Sequence, residues 1–160
     1  MTRDSTIPEG VLVGLTGACA VAIWFFLYDL ATGQPLRTPA LLGSALFLGL
    51  RDPGAVHVTA GGVLKYTMVH GVAFIGFGLV MAGLFRLADR ERTALFAAFM
   101  LLCCFEVFFI AMVLMFAERL VEDIPVWSIA TGNLIATVCM LGILFRRHHR
   151  MPSEVLSAGE

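Results

Sequence analysis

The sequence LLCCFEVFFIAMVLMF, residues 101–116, is apolar throughout except for one carboxylate, Glu106. It belongs to a longer apolar run, 94–117, which is long enough to cross a hydrocarbon core of roughly 30 Å. Lipid cannot hydrogen-bond to backbone groups, so a run of this kind is predicted to be an α-helix. A carboxylate near the bilayer midplane is costly to insert, and we therefore expect Glu106 to face other helices.

The composition of the whole chain favours a membrane protein. Of 160 residues, 59% are hydrophobic and 14% are charged, whereas soluble domains carry about 25% charged residues. The net charge of −1 argues against a nucleic-acid partner. The length suits a single domain.

Four apolar segments are each long enough to span a membrane, at residues 10–30, 62–87, 94–117 and 126–145. They predict an all-α protein, a bundle of four transmembrane helices that forms one domain over residues 1–160. Basic residues are concentrated in the link RLADRERT and in the tail RRHHR. Because Lys and Arg favour cytoplasmic loops, both termini are predicted to lie inside the cell.

The first outer link contains a shorter apolar segment, residues 39–50. It is too short to span, so we expect a helix with Thr38 as its N-cap and Pro39 in its first turn. This helix is expected to lie in the membrane interface, or to dip in and pack on the bundle. Residues 151–160 are predicted to be a loose tail. Four aromatic residues near the outer surface are interpreted as an interfacial belt: Trp24, Tyr28, Tyr66 and Trp127.

Small residues recur every four positions on the first predicted helix, at Gly10, Gly14, Ala18 and Ala22. Such a stripe lets two helix backbones approach closely. Its partner is either another helix of the bundle or a second protein, and the sequence leaves both open.

Polar residues within the predicted spans are candidates for a buried site: Glu106, His70, Asp29, Asn133 and Tyr66. Tyr66 and His70 are four residues apart and share a helix face. We expect these groups to form a polar pocket or a proton-accessible cleft that opens outward. The structural alternatives are that Asp29 bonds to the nearby link and that His70 bonds to a carbonyl or to Glu106. Asn133 would then join two helices, and Glu106 would be only a structural hydrogen-bond partner.

Metal and cofactor chemistry is weakly signalled, and the sequence predicts neither a metal nor a cofactor. The Glu-x-x-His repeats of di-iron bundles do not occur in this sequence, and its four cysteines form no CxxC motif. Two alternatives stay open. One is a metal site built from His and carboxylates, and the other is a quinone site with His70 as hydrogen-bond donor.

Two strings, AIWFFLYDLATGQPLRTPALLGSALFLG at 22–49 and KYTMVHGVAFIGFG at 65–78, carry a family resemblance. They resemble small four-helix bacterial membrane proteins of no assigned function. Those proteins have a Trp-Phe run that ends in Asp, a Thr-Pro-x-Leu-Leu-Gly link, a His in the second helix and a Glu in the third. The resemblance implies a multi-pass protein of the bacterial inner membrane and supplies no activity.

The predicted function is that of an accessory, assembly or interaction subunit rather than an enzyme. Its expected partners are the lipid bilayer and either other membrane subunits or a second copy. One alternative is a small transporter or proton-linked channel that uses Glu106 and His70. A further alternative is a membrane redox or metal-binding protein.

Overall fold

The structure is a computed structural model that describes residues 6–50, 52–88, 93–116 and 124–149. Within these ranges, the side chains of residues 53, 93–95, 106, 108–110, 112–116 and 148–149 are outside the description. Five α-helices account for most of the described chain: α1 Thr6–Ala31, α2 Arg37–Leu48, α3 Ala60–Ala88, α4 Thr93–Phe116 and α5 Val126–His149. No strand occurs in the described ranges, so the predicted all-α class is confirmed.

Three of these helices are long and apolar enough to cross a membrane: Thr6–Ala31, Ala60–Ala88 and the Val126–Arg147 part of α5. They indicate a multi-pass membrane protein. The fourth predicted span corresponds to α4, whose described side chains form the shorter apolar stretch Phe96–Phe105. Membrane crossing by α4 therefore stays a prediction, and the predicted tail at 151–160 lies outside the described residues.

The helices α1 and α4 each pack against both α3 and α5, and the α1–α3 interface is the most extensive. Gly10 meets α3 at Leu79, whereas Gly14 meets it at Phe74. The positions on α3 thus fall as those on α1 rise, so the two helices are antiparallel. The core between the long helices is apolar, and its most deeply buried residues include Val13, Met81, Ala82, Met140 and Leu144.

The α1–α3 interface is a contact between backbones. A Cβ atom added at Gly10 would lie 2.6 Å from the Cα of Leu79, and one at Gly78 would collide with the backbone of Gly14. The predicted stripe on α1 thus meets a helix of the same chain at Gly10 and Gly14. Ala18 is also buried, whereas Ala22 is exposed.

The short helix α2 packs on the start of α3, which is one of the two placements that the sequence left open. Ala40 and Leu41 are 2% and 1% exposed, and a Cβ at Gly43 would lie 3.0 Å from the carbonyl oxygen of Gly62. The C-terminal end of α2 is not covered in this way, because Phe47 and Leu48 are exposed.

The predicted N-cap of α2 is wrong. Leu36 occupies the cap position with a left-handed backbone (φ 63°), and no side chain of its own caps the helix. Thr38 is the second residue of α2 and Pro39 lies in the first turn, as predicted. The reason for the difference is tertiary, because a carboxylate from α1 bonds to Thr38.

Candidate functional site

Asp29, in the last turn of α1, is the residue that holds the start of α2. It is 2% exposed, and its Oδ2 accepts the Thr38 backbone N–H at 2.8 Å while its Oδ1 accepts the Thr38 hydroxyl at 2.6 Å. The first N–H groups of a helix have no partner within the helix, and the N-terminus attracts negative charge. Asp29, a residue of α1, therefore caps the N-terminus of α2.

A polar recess of about 200 Å³ surrounds Asp29 and Thr38. The Arg37 side chain lies close enough to act favourably on the Asp29 carboxylate through its charge. The Gln34 backbone N–H donates to the carbonyl of Asp29 at 2.8 Å, which closes the link between α1 and α2. The polar lining comprises Tyr28, Asp29, Thr32, Gln34, Arg37 and Thr38.

His70 lies deeper on α3, in an aromatic row. Its ring stacks on Tyr66 with centroids 5.8 Å apart and meets Phe74 at 4.6 Å. Its Nε2 lies 3.3 Å from the carbonyl oxygen of Ala18 on α1. A carbonyl can only accept, so Nε2 carries the hydrogen, and in a neutral ring Nδ1 is left as an acceptor.

A second cavity, of about 110 Å³, lies beside His70 between α1, α2 and α3. Ala22, Tyr66, Thr67 and His70 line it together with apolar side chains. Thr38 borders both this cavity and the polar recess. The Asp29–Thr38 pair therefore stands where the polar recess and the apolar cavity meet.

The α1–α5 interface is fastened by Trp24. Its Nε1–H donates to the carbonyl of Ser128 at 2.9 Å, and a Cβ added at Gly132 would lie 2.9 Å from the Trp24 ring. Tyr28 meets Trp127 edge to face, with ring centroids 5.9 Å apart. Trp24 thus contacts protein rather than serving only as part of an interfacial belt, a role that the sequence did not reveal.

A broad apolar groove of about 490 Å³ runs between α1 and α5 on the outside of the helices. Most of its walls are small or slender side chains. We call it the α1–α5 groove, and its lining comprises Leu15, Thr16, Cys19, Ala20, Ile23, Ile135 and Cys139.

The structure brings some of the predicted polar residues together. Tyr66 and His70 form one pair. Asp29 contacts Thr38, which lines the same cavity as Tyr66 and His70. Asn133 on α5 is 5% exposed and has an interaction partner.

The Glu106 side chain lies outside the described residues, so its partner stays a prediction. Its neighbour Phe105 stacks on Phe77 with ring centroids 4.2 Å apart. Phe77 is seven residues from His70 on α3, which is roughly 10 Å along the helix.

Metal ligands do not cluster in the part of the chain that the structure describes. No group of three or more His, Cys, Asp or Glu side chains there is placed to hold a metal ion. The metal-binding alternative therefore has no described site.

Comparison of the chain with protein-family models, with curated proteins and with solved structures gives no match.

Proposed function

We propose that the chain is a four-span protein of the bacterial inner membrane with both termini in the cytoplasm. Large apolar side chains are exposed on all four long helices, including Ile23 on α1, Val72 on α3, Val107 on α4 and Leu134 on α5. Such surfaces are unfavourable in water and suit lipid. With 24 residues, α4 is roughly 36 Å long, which is sufficient to cross.

Its function, in this proposal, is that of an accessory or interaction subunit that binds a transmembrane helix of another protein. The observation that carries this proposal is the α1–α5 groove. Thr16 and Ala20 are four residues apart on α1, and Cys19 and Cys139 add further small side chains. Small residues at this spacing are typical of helix interfaces in membranes. The glycine face of α1 supplies no such surface, because α3 already covers it.

A photo-crosslinking amino acid in place of Ile23 tests this function. Ile23 lines the groove and is 60% exposed, while Val72 on α3 is 70% exposed and lies outside it. We expect an adduct of one defined mass from position 23 and none from position 72. Ala20→Phe should abolish the adduct by filling the groove, and two differently sized tags separate a second copy from another protein. Adducts with lipid alone would overturn the proposal.

The second candidate is proton-linked transport, favoured by the two cavities that meet at Thr38. Asp29 lines the polar recess, His70 lines the apolar cavity, and Thr38 lines both. In this candidate Glu106 is the proton-binding group deeper in the membrane.

Reconstituted vesicles test the transport candidate. A proton flux seen with the wild type should be lost in Glu106→Gln and kept in Asp52→Asn, since Asp52 lies in the exposed turn before α3. A flux that Glu106→Gln leaves unchanged would exclude Glu106 from this role.

A further inference from the structure

We propose that the cavity beside His70 binds a small lipid-soluble ring that carries a hydroxyl group, of the phenol or hydroquinone class. We call this cavity the His70 cavity. The proposal is independent of the helix-binding function, because the His70 cavity and the α1–α5 groove share no lining residue.

The first step concerns what His70 can recognise. Its Nε2–H is committed to the Ala18 carbonyl at 3.3 Å, and a charged imidazolium is costly among apolar neighbours. The neutral ring then presents only an acceptor at Nδ1. A ligand that uses His70 must therefore donate a hydrogen bond, as a hydroxyl does and as a quinone carbonyl cannot. This reverses the donor role expected for His70 at a quinone site.

The second step concerns shape. The walls include the side chains of Phe25, Phe26 and Tyr66, which suit a flat ring. The volume is about 110 Å³, somewhat less than the ~150 Å³ apolar cavity that holds benzene in another protein. Because the His70 cavity is open on one side, a single ring fits when part of it stays in the mouth.

The third step concerns access. Four of the lining residues are exposed. Leu36 belongs to the link before α2. The other three, Ala22, Phe26 and Thr67, mark the mouth of the cavity between α1 and α3. Both helices are candidate membrane spans. The mouth therefore faces the hydrocarbon, and an amphiphile dissolved in the bilayer reaches it from the side.

The test is a titration of the full chain in lipid nanodiscs with two probes, methylhydroquinone and its dimethyl ether, under argon. The two rings match, but the ether cannot donate a hydrogen bond. Calorimetry, corrected with empty nanodiscs, should show the hydroquinone binding about fivefold more tightly, as expected for one net hydrogen bond. No saturable binding of the hydroquinone, or equal affinities for the two probes, would overturn the proposal.

Three variants locate the binding. His70→Phe keeps a flat ring without an acceptor and should make the two affinities equal. Ala22→Leu fills the mouth of the His70 cavity and should weaken both probes. Ala73→Leu makes the same change at an exposed residue of α3 outside the lining and should change neither.

Other results would contradict the proposed site. A preference for hydroquinone that survives His70→Phe would show that another group accepts the hydrogen bond. Unchanged affinity in Ala22→Leu would place the binding elsewhere. If His70→Phe does not fold, the probe pair on the wild type and on Ala22→Leu decides alone.

Discussion

Asp29 shows how one side chain joins two helices. The carboxylate of Asp29, in the last turn of α1, bonds twice to Thr38 and lies next to the charge of Arg37. The sequence predicted that Asp29 would either bond near the link or belong to a polar site, and its two bonds to Thr38 agree with the first alternative. The Thr38 cap could not be predicted correctly, because the left-handed Leu36 and the incoming carboxylate are tertiary features.

Asp29→Ala should lower the free energy of unfolding by about 1–3 kcal/mol, because Thr38 loses both partners and an N–H of α2 stays buried and unpaired. The control is Asp52→Ala, which removes an exposed bond to the Gly54 N–H and should cost less. Unfolding in mild detergent, followed by circular dichroism, measures both. Equal losses would contradict a capping role for Asp29.

At the scale of elements, glycine determines which helices touch. The sequence predicted a close helix contact through Gly10 and Gly14, and those residues meet α3. It could not identify Gly78 as the opposing residue, because Gly71, Gly76 and Gly83 on the same helix look alike in the sequence. The structure separates them, since a Cβ at any of these three would meet nothing within 4 Å.

Gly78→Ala should therefore destabilise the protein while Gly76→Ala does not. The added methyl group at position 78 collides with the backbone of Gly10 and Gly14, and overpacking of this kind costs about 1–3 kcal/mol. At position 76 the same change meets open space and should be neutral or slightly stabilising. Thermal unfolding of both variants in the same detergent is the measurement, and similar melting temperatures would show that α1 and α3 are not in backbone contact.

The α1–α5 interface offers a second matched pair, Gly132→Ala and Gly142→Ala. A Cβ at Gly132 would lie 2.9 Å from the Trp24 ring, whereas one at Gly142 meets nothing within 4 Å. We expect only Gly132→Ala to displace the indole from the Ser128 carbonyl. Tryptophan emission in a Trp127→Phe background reports on Trp24 alone, and its maximum should shift in Gly132→Ala. An unshifted spectrum would mean that Trp24 does not pack on Gly132.

For the whole molecule, the apolar runs predicted the number and approximate bounds of the long helices, because a bilayer demands a minimum length of apolar helix. The length of the apolar runs could not predict the polar recess or the His70 cavity. They arise where α2 packs over α1 and α3, and the sequence left open whether α2 lies in the interface or packs on the bundle. The contact between α2 and α3 depends on Gly43 meeting Gly62, a pairing between distant parts of the chain that periodicity does not encode.

The number of membrane crossings is the remaining question at this scale, and single cysteines decide it. In a background without the four native cysteines, Ser5→Cys, Thr32→Cys and Ser157→Cys are exposed in turn to a membrane-impermeant maleimide added to intact spheroplasts. Four crossings with both termini inside predict labelling at position 32 alone, since Thr32 lies in the exposed link after α1. Labelling at position 157 but not at position 5 would mean an odd number of crossings. Because α1, α3 and α5 are each long and apolar enough to span, that outcome would imply that α4 does not cross the bilayer.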